Sequence, residues 1–321
     1  MTKPAGGESG LDGSGRRAAT QRSARPTGPG PYIAAMRPRQ WVKNLLVFAA
    51  PAAAGVVFRV GPFLRCVATF LIFVAASAST YLVNDVMDRD ADRLHPVKRR
   101  RPIASGAVTP MAAFVLAGIL LAASLVGSAL LAGAVLTGVV ASYVVITMAY
   151  SFGLKRVAVI ELACVASGFV LRAVAGGAAV HVPISPWFLL VTSFGALFVV
   201  AGKRSSEHEV MGAERASHRA SLGDYPATFL GTVRAVAASV LVTAYCLWAF
   251  DRAGQLVTHP KSGDLIWFEL SIIPFVLAVL AVELAFERGL GGEPEDLALR
   301  DHMLQALGVI WVALVMIGVY S

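Results

Sequence analysis

Charge is scarce in this 321-residue chain. Asp, Glu, Lys and Arg make up 15% of it, where a soluble domain carries about 25%. That excludes an ordinary water-facing globule. Cysteine is nearly absent: Cys66, Cys164 and Cys246 are the only three. Each lies inside an apolar stretch, and no spacing among them would build a disulfide framework or a zinc site. They read as small buried hydrophobes. Acids are fewer than bases, 20 against 28, yet the excess does not point to nucleic acid. Six of the eight net positive charges fall in residues 1–43, which hold eight Lys/Arg and two acids. A basic segment beside a first apolar span suits an anionic membrane surface. Residues 1–30 are rich in Gly, Ser, Arg and Pro. They lack the apolar centre of a secretory signal peptide and read as a disordered basic tail.

What is present is apolar sequence in long runs. Hydrophobic residues make up 56% of the chain, and stretches of roughly 20 recur along it, the length needed to cross a hydrocarbon core of roughly 30 Å. Nine spans are expected, near 40–58, 63–87, 110–130, 134–152, 158–180, 186–204, 226–249, 265–286 and 303–320. Residues 31–321 then form one all-α, polytopic, nine-span domain. Lys and Arg set the orientation. With the N-terminus inside, 22 of the 28 fall on inner segments and four on outer loops or their edges. The long charged loops are therefore expected on the cytoplasmic side of the plasma membrane.

One charged stretch stands out. "YLVNDVMDRDADRLHPVKRRRP", residues 81–102, begins as apolar helix and then packs four aspartates and six basic residues together. On a helix each residue advances about 100°, so from Asp85 the positions of Asp88 and Asp92 fall near 300° and −20°. These three share a face, with Asn84 beside them, and Asp90 points away near 140°. Aligned carboxylates repel unless a cation lies among them. Oxygen ligands favour a hard cation, and Mg2+ takes one or two carboxylates and completes its shell with water and phosphate. The alternative is a solvated acidic face balanced by neighbouring arginines.

Other inner segments carry basic and polar residues at the same membrane face: "RPRQWVKN" (37–44), "YSFGLKR" (150–156), "AGKRSSE" (201–207) and "GGEPEDLALRD" (291–301). Each cation alone could be a positive-inside anchor. Their recurrence suggests a shared, cytoplasm-facing polar cavity. Glu161 and Arg172 lie within the fifth span, eleven positions apart and on one face about three turns apart. Ionisable residues inside a span face a bundle interior or cavity, although Arg172 could equally be a structural ion pair. Arg234 sits in the seventh span.

These segments resemble the UbiA superfamily of intramembrane prenyltransferases. "NDVMDRDAD" matches its first aspartate-rich motif, "KRRRPIASG" follows as expected, and "YSFGLKR" is similar to its Tyr-then-Lys element, with four residues rather than three between Tyr150 and Lys155. The superfamily usually carries a second aspartate-rich motif after the sixth span. Here that place reads "AGKRSSEHEVMGAER", with Lys203, Arg204 and Glu207 and no paired aspartates. "MRPRQWVKNLLVFAAP", "AGKR" and "GEPEDLALRD" resemble one branch in particular. Its members move 5-phosphoribose from phosphoribosyl diphosphate (PRPP) onto decaprenyl phosphate and release diphosphate, for cell-wall arabinan synthesis.

The resemblance implies a UbiA-type bundle and a Mg2+-dependent transferase. Asp85, Asp88 and Asp92 would hold the metal, with Asn84 assisting. Asp85, Asp88, Asp92 and Lys203 would form the catalytic set. Lys43, Asn44, Arg100, Arg101, Tyr150, Lys155, Glu161, Arg172 and Arg204 would meet the phosphates and ribose, and Glu295 and Asp296 could add a metal or ribose contact. The expected partners are PRPP, decaprenyl phosphate and membrane lipid, and the sequence leaves homo-oligomerisation open. Two alternatives stand beside this reading. One is a conventional prenyltransferase acting on an aromatic or haem acceptor. The other is a transporter for a phosphorylated lipid.

Overall fold

The computed structural model describes residues 28–211, 225–257, 265–292 and 294–320. The expected basic tail lies outside the described residues up to position 27. The described chain is helical throughout. A short helix α1 (Gly30–Ala35) leads into a 3-10 segment (Pro38–Phe48) and α2 (Ala49–Ala53). Then come α3 (Val60–Met87), α4 (Arg89–Leu94), α5 (Pro110–Phe152), α6 (Ile160–Ala179), α7 (Pro186–Met211) and α8 (Ala227–Val257). α9 (Leu265–Glu287), α10 (Pro294–Arg300) and α11 (His302–Tyr320) complete it.

Against nine expected spans, seven helices among the described residues are long and apolar enough to cross a membrane. Two departures account for the difference. First, α5 carries the third and fourth expected spans in one 43-residue run broken at Ala132 and Gly133. Gly133 has φ 68° and ψ −153°, a conformation open to glycine and strained for any other residue. The Ser128 and Thr137 hydroxyls lie 3.2 Å apart across the break. A straight helix would separate residues nine apart by about 13 Å, so the chain doubles back here as a helical hairpin. Second, the segment expected to cross at 40–58 is not one long helix. Its 3-10 turns give way to α2 and then to turns around Gly55.

Close backbone approach explains how that irregular segment is held. A Cβ on Gly176 of α6 would lie 1.8 Å from the Val47 carbonyl oxygen, so only glycine lets the two backbones meet. Small residues serve helix contacts in membranes because lipid supplies little hydrophobic drive between helices. Around this contact Val47, Phe73, Leu136, Val140, Tyr143 and Ala175 form one buried cluster. A second cluster joins α7, α8 and α9 through Phe198, Leu241, Val279 and Phe286. At the other end of α3 from its aspartates, the Arg65 guanidinium donates to the carbonyls of Leu131 (3.1 Å) and Ala179 (3.2 Å), capping the first leg of the hairpin and α6 together.

Gly176→Ala is expected to lower the thermal unfolding temperature in detergent, because overpacking costs about 1–3 kcal/mol. Gly138→Ala, with open space at its Cβ, is the matched control and should melt like the parent. Equal melting of both variants would contradict the close approach.

Candidate active site

The aspartate face forms where α3 ends. Asp88 leaves helical geometry (φ −87°, ψ 4°) and starts α4, so the continuous helix implied by the 100° count is interrupted there. The spacing survives. The Asp88 N–H donates to Asn84 O (2.9 Å) and the Asp92 N–H to Asp88 O (2.8 Å), which carries the i, i+4 register across the junction. Asp85 and Asp92 consequently meet one cation. Arg101 Nη1 donates to Asp85 Oδ1 (3.2 Å) and to Asp92 Oδ2 (2.7 Å). Asp90 lies on the exposed side and pairs with Arg93 (3.5 Å).

Arg101 is held from below. Ile103 and Val108 are buried with Leu82, Ala35, Ala113 and Ala117, which anchors the "RPIASG" turn against α3 and α5. Arg93 Nε donates to the Ala104 carbonyl (3.0 Å) and closes the turn onto α4. The neighbouring Arg100 is exposed. The pair treated as equivalent in the sequence thus divides, with only Arg101 on the aspartates.

Asp88 is served from the other side. Lys155 Nζ, on the 3-10 turn Leu154–Arg156, lies 2.9 and 3.2 Å from its two oxygens, and Asn84 Nδ2 donates to it at 3.1 Å. The third cation was not singled out from the sequence. Arg37 donates to Asp85 and lies over the Tyr81 ring, 4.8 Å from its centroid. Asp85 is 2% exposed. Three carboxylates and three cations from four segments therefore form one charge-balanced lattice. Asp85 and Asp92 share Arg101 while Asp88 takes Lys155, and among the described residues no three His, Cys, Asp or Glu side chains gather to hold a metal.

Two further buried networks lie deeper. Glu161 (0% exposed) accepts from Arg204 Nε at 2.9 and 3.2 Å, and Arg204 Nη1 donates to Glu207 (2.8 Å). The Tyr225 hydroxyl accepts from the Val159 N–H (2.9 Å) and reaches Glu161 (3.5 Å). Burial pushes this phenol above its ordinary pKa. Tyr150 is half-buried near the end of α5, and Lys203 is half-buried one residue before Arg204. The loop before α10 locks this end of α7. The Gly291 N–H donates to Ser206 Oγ (3.0 Å), and a Cβ on Gly202 or Gly291 would strike the Phe286 ring. The side chains of Glu295 and Asp296 lie outside the described residues.

The second network is centred on Arg172. It donates to Asn44 Oδ1 (2.7 Å), the Gly168 carbonyl (2.7 Å) and the Tyr143 hydroxyl (2.9 Å). Its expected neighbour on the same face, Glu161, is Arg204's partner instead, so Arg172 is held by neutral oxygens. Lys43 lies over the Phe169 ring at 5.7 Å. Arg234 reaches Glu283 (3.2 Å) and Glu287 near the C-terminal end of α9. Beside Tyr225 an apolar groove of about 570 Å³ opens between α6, α7 and α8, lined by Val159, Leu162, Leu197, Phe229 and Val236 among others.

Residues 45–292 match the UbiA prenyltransferase family. The chain belongs to that family and is a multi-pass membrane transferase. It is 45% identical over 287 residues to the decaprenyl-phosphate phosphoribosyltransferase of Mycobacterium tuberculosis, covering 88% of this chain and 92% of that protein. The protein of the same name from Mycolicibacterium smegmatis is 43% identical over 294 residues, 90% of this chain and 92% of that one. Among solved structures, a UbiA homolog from Archaeoglobus fulgidus bound to GPP and Mg2+ superposes with TM-score 0.64 at 19% identity, over 90% of this chain and 98% of the other. That likeness establishes the fold.

Removing one partner of a buried ion pair costs about 3–5 kcal/mol. Arg204→Ala should therefore unfold well below the parent in detergent melts. The double variant Glu161→Leu/Arg204→Met should regain most of the loss. A single variant as stable as the parent would show that the pair carries no structural load.

Proposed function

We propose that this protein transfers 5-phosphoribose from PRPP to decaprenyl phosphate, giving decaprenylphosphoryl-5-phosphoribose and diphosphate for cell-wall arabinan synthesis. The observation that carries the reading is likeness at 43–45% identity, over about nine-tenths of the chain, to relatives named for that phosphoribosyl transfer. The charge lattice supports it. Asp85, Asp88 and Asp92 offer oxygen donors only, which suits Mg2+, and two of them with substrate phosphate satisfy its usual shell. Asp85 and Asp88, on successive turns, would hold the ion, with Asp92 behind Arg101. Bound there, Mg2+ neutralises the leaving diphosphate.

The chain's own residues do the rest by position and charge. Lys155, released from Asp88, and the Arg101 donors not engaged by Asp92 would meet phosphate oxygens, where guanidinium binds bidentately. Lys203 stands where the family usually places a second aspartate motif, and a cation there holds phosphate directly. As the anomeric bond breaks, the ribose becomes oxocarbenium-like. The attacking phosphate oxygen is already anionic, so no general base is needed, and catalysis rests on orientation and electrostatics. Glu161 and Arg204, each locked to the other, would position α6 and α7 around the cavity. The groove beside Tyr225 would give the polyprenyl tail an apolar way out among helices.

The proposed setting is a single domain, residues 31–321, that crosses the plasma membrane nine times. Both hairpin legs of α5 and the segment through the 3-10 turns and α2 each count as a pass. The N-terminus and the active site would face the cytoplasm.

Purified protein incubated with Mg2+, radiolabelled PRPP and polyprenyl phosphate should place label in the extracted lipid. Asp85→Ala and Asp88→Ala should each lower turnover at least about 100-fold, a loss of roughly 2.7 kcal/mol in barrier stabilisation. Near-normal turnover would refute the metal site, and transfer from a prenyl diphosphate to an aromatic acceptor, without lipid label, would refute the reaction. Lys203→Ala should raise KM for donor or acceptor with membrane insertion intact. Unchanged constants would make Lys203 a topology anchor.

A further inference from the structure

Arg37 presents an imbalance that ion pairing alone does not explain. Arg101 by itself bridges Asp85 and Asp92, yet Arg37 also donates to Asp85, and both guanidiniums converge on the same oxygen, Oδ1. Two cations on one carboxylate oxygen leave no room there for a third. Arg37 is also held in place at some expense. Its backbone is left-handed (φ 56°, ψ 65°), which is uncommon outside glycine. The Trp41 indole donates to the Met36 carbonyl (3.1 Å), the Gln40 N–H donates to the Arg37 carbonyl (2.9 Å), and the guanidinium lies over Tyr81. Asp85 is almost fully buried, while the Arg37 side chain keeps 26% of its surface exposed. Of the two it is the group with room to move.

We propose that Arg37 is a placeholder cation and a diphosphate ligand: it occupies Asp85 while donor and metal are absent, then exchanges the carboxylate for a phosphate of the arriving donor. The inference rests on the reading above that this site takes a metal–diphosphate. A guanidinium cannot leave its carboxylate by losing a proton, so it leaves by swinging to another anion. A bare divalent ion displaces Arg37 but gives it nowhere to go, which leaves two cations crowded together. A metal–diphosphate brings both the ion that replaces Arg37 and the oxygens that receive it. Arg37 would thus make metal binding conditional on the donor and keep the site from filling with metal alone.

The test needs no turnover and no knowledge of the group attached to the diphosphate. Mn2+ binding to the full-length protein in detergent is read by EPR, with and without inorganic diphosphate. The parent should bind Mn2+ weakly alone and at least about tenfold more tightly with diphosphate present. Arg37→Gln removes one unit charge within contact distance of the carboxylate. It should bind Mn2+ alone at least about tenfold more tightly than the parent and lose most of the diphosphate enhancement. Arg37→Lys, which keeps the charge and guards against a folding defect in the glutamine variant, should behave like the parent in Mn2+ alone. Unchanged or weaker Mn2+ binding in Arg37→Gln would overturn the proposal and leave Arg37 a structural partner of Asp85. So would a diphosphate enhancement that survives the substitution. If diphosphate strengthens Mn2+ binding as stated while PRPP gives no lipid product, the exchange stands and the assigned reaction fails.

Discussion

Three carboxylates close together at the edge of a hydrocarbon medium cannot all stay ionised unless cations are fixed among them. Most of the charged end of α3 and the turns around it can be understood from that constraint. Arg37, Arg101 and Lys155 come from three different segments, and each is steered by local structure with its own cause. A left-handed backbone aims Arg37. A turn anchored by Ile103 and Val108 presents Arg101. The 3-10 turn that ends the hairpin's second leg presents Lys155. The aspartates hold the loops together as much as the loops hold the aspartates.

Much of this was legible in the sequence. The i, i+7 spacing of Asp85 and Asp92 predicted a shared face, and these two do meet on Arg101, while Asp88 at the helix break pairs with Lys155. The short gap between the expected spans 110–130 and 134–152 falls at the hairpin turn at Gly133. Local periodicity could not name partners. Glu161 and Arg172 lie about 16 Å apart along their helix by its rise per residue, so each found a nearer group on another element. Arg37 sat in a noticed segment, but its role depends on a backbone conformation and on the approach of α3, neither of which a one-dimensional pattern records. Tyr225 escaped for the same reason. A lone Tyr before a Pro gives no hint that its hydroxyl will bridge the start of α6 and a buried glutamate.

The two halves of the bundle solve the problem of burying charge differently. On the first half, carboxylates and cations meet at a partly open surface. On the second, Arg204 is almost fully enclosed between Glu161 and Glu207, and a glycine-lined socket for Phe286 secures the adjoining loop. A fully satisfied buried pair is costly to break and fixes geometry. A partly exposed lattice can trade partners. An exchangeable set of ion pairs and a rigid buried pair thus occupy the two halves of one bundle.

Arg65 lies far from all of this, at the opposite end of α3, where one guanidinium ties the carbonyl ends of two helices. Its consequence is mechanical. With these two helix ends tied at a fixed spacing, their separation at the aspartate end is left to the charge pairs that join the segments there.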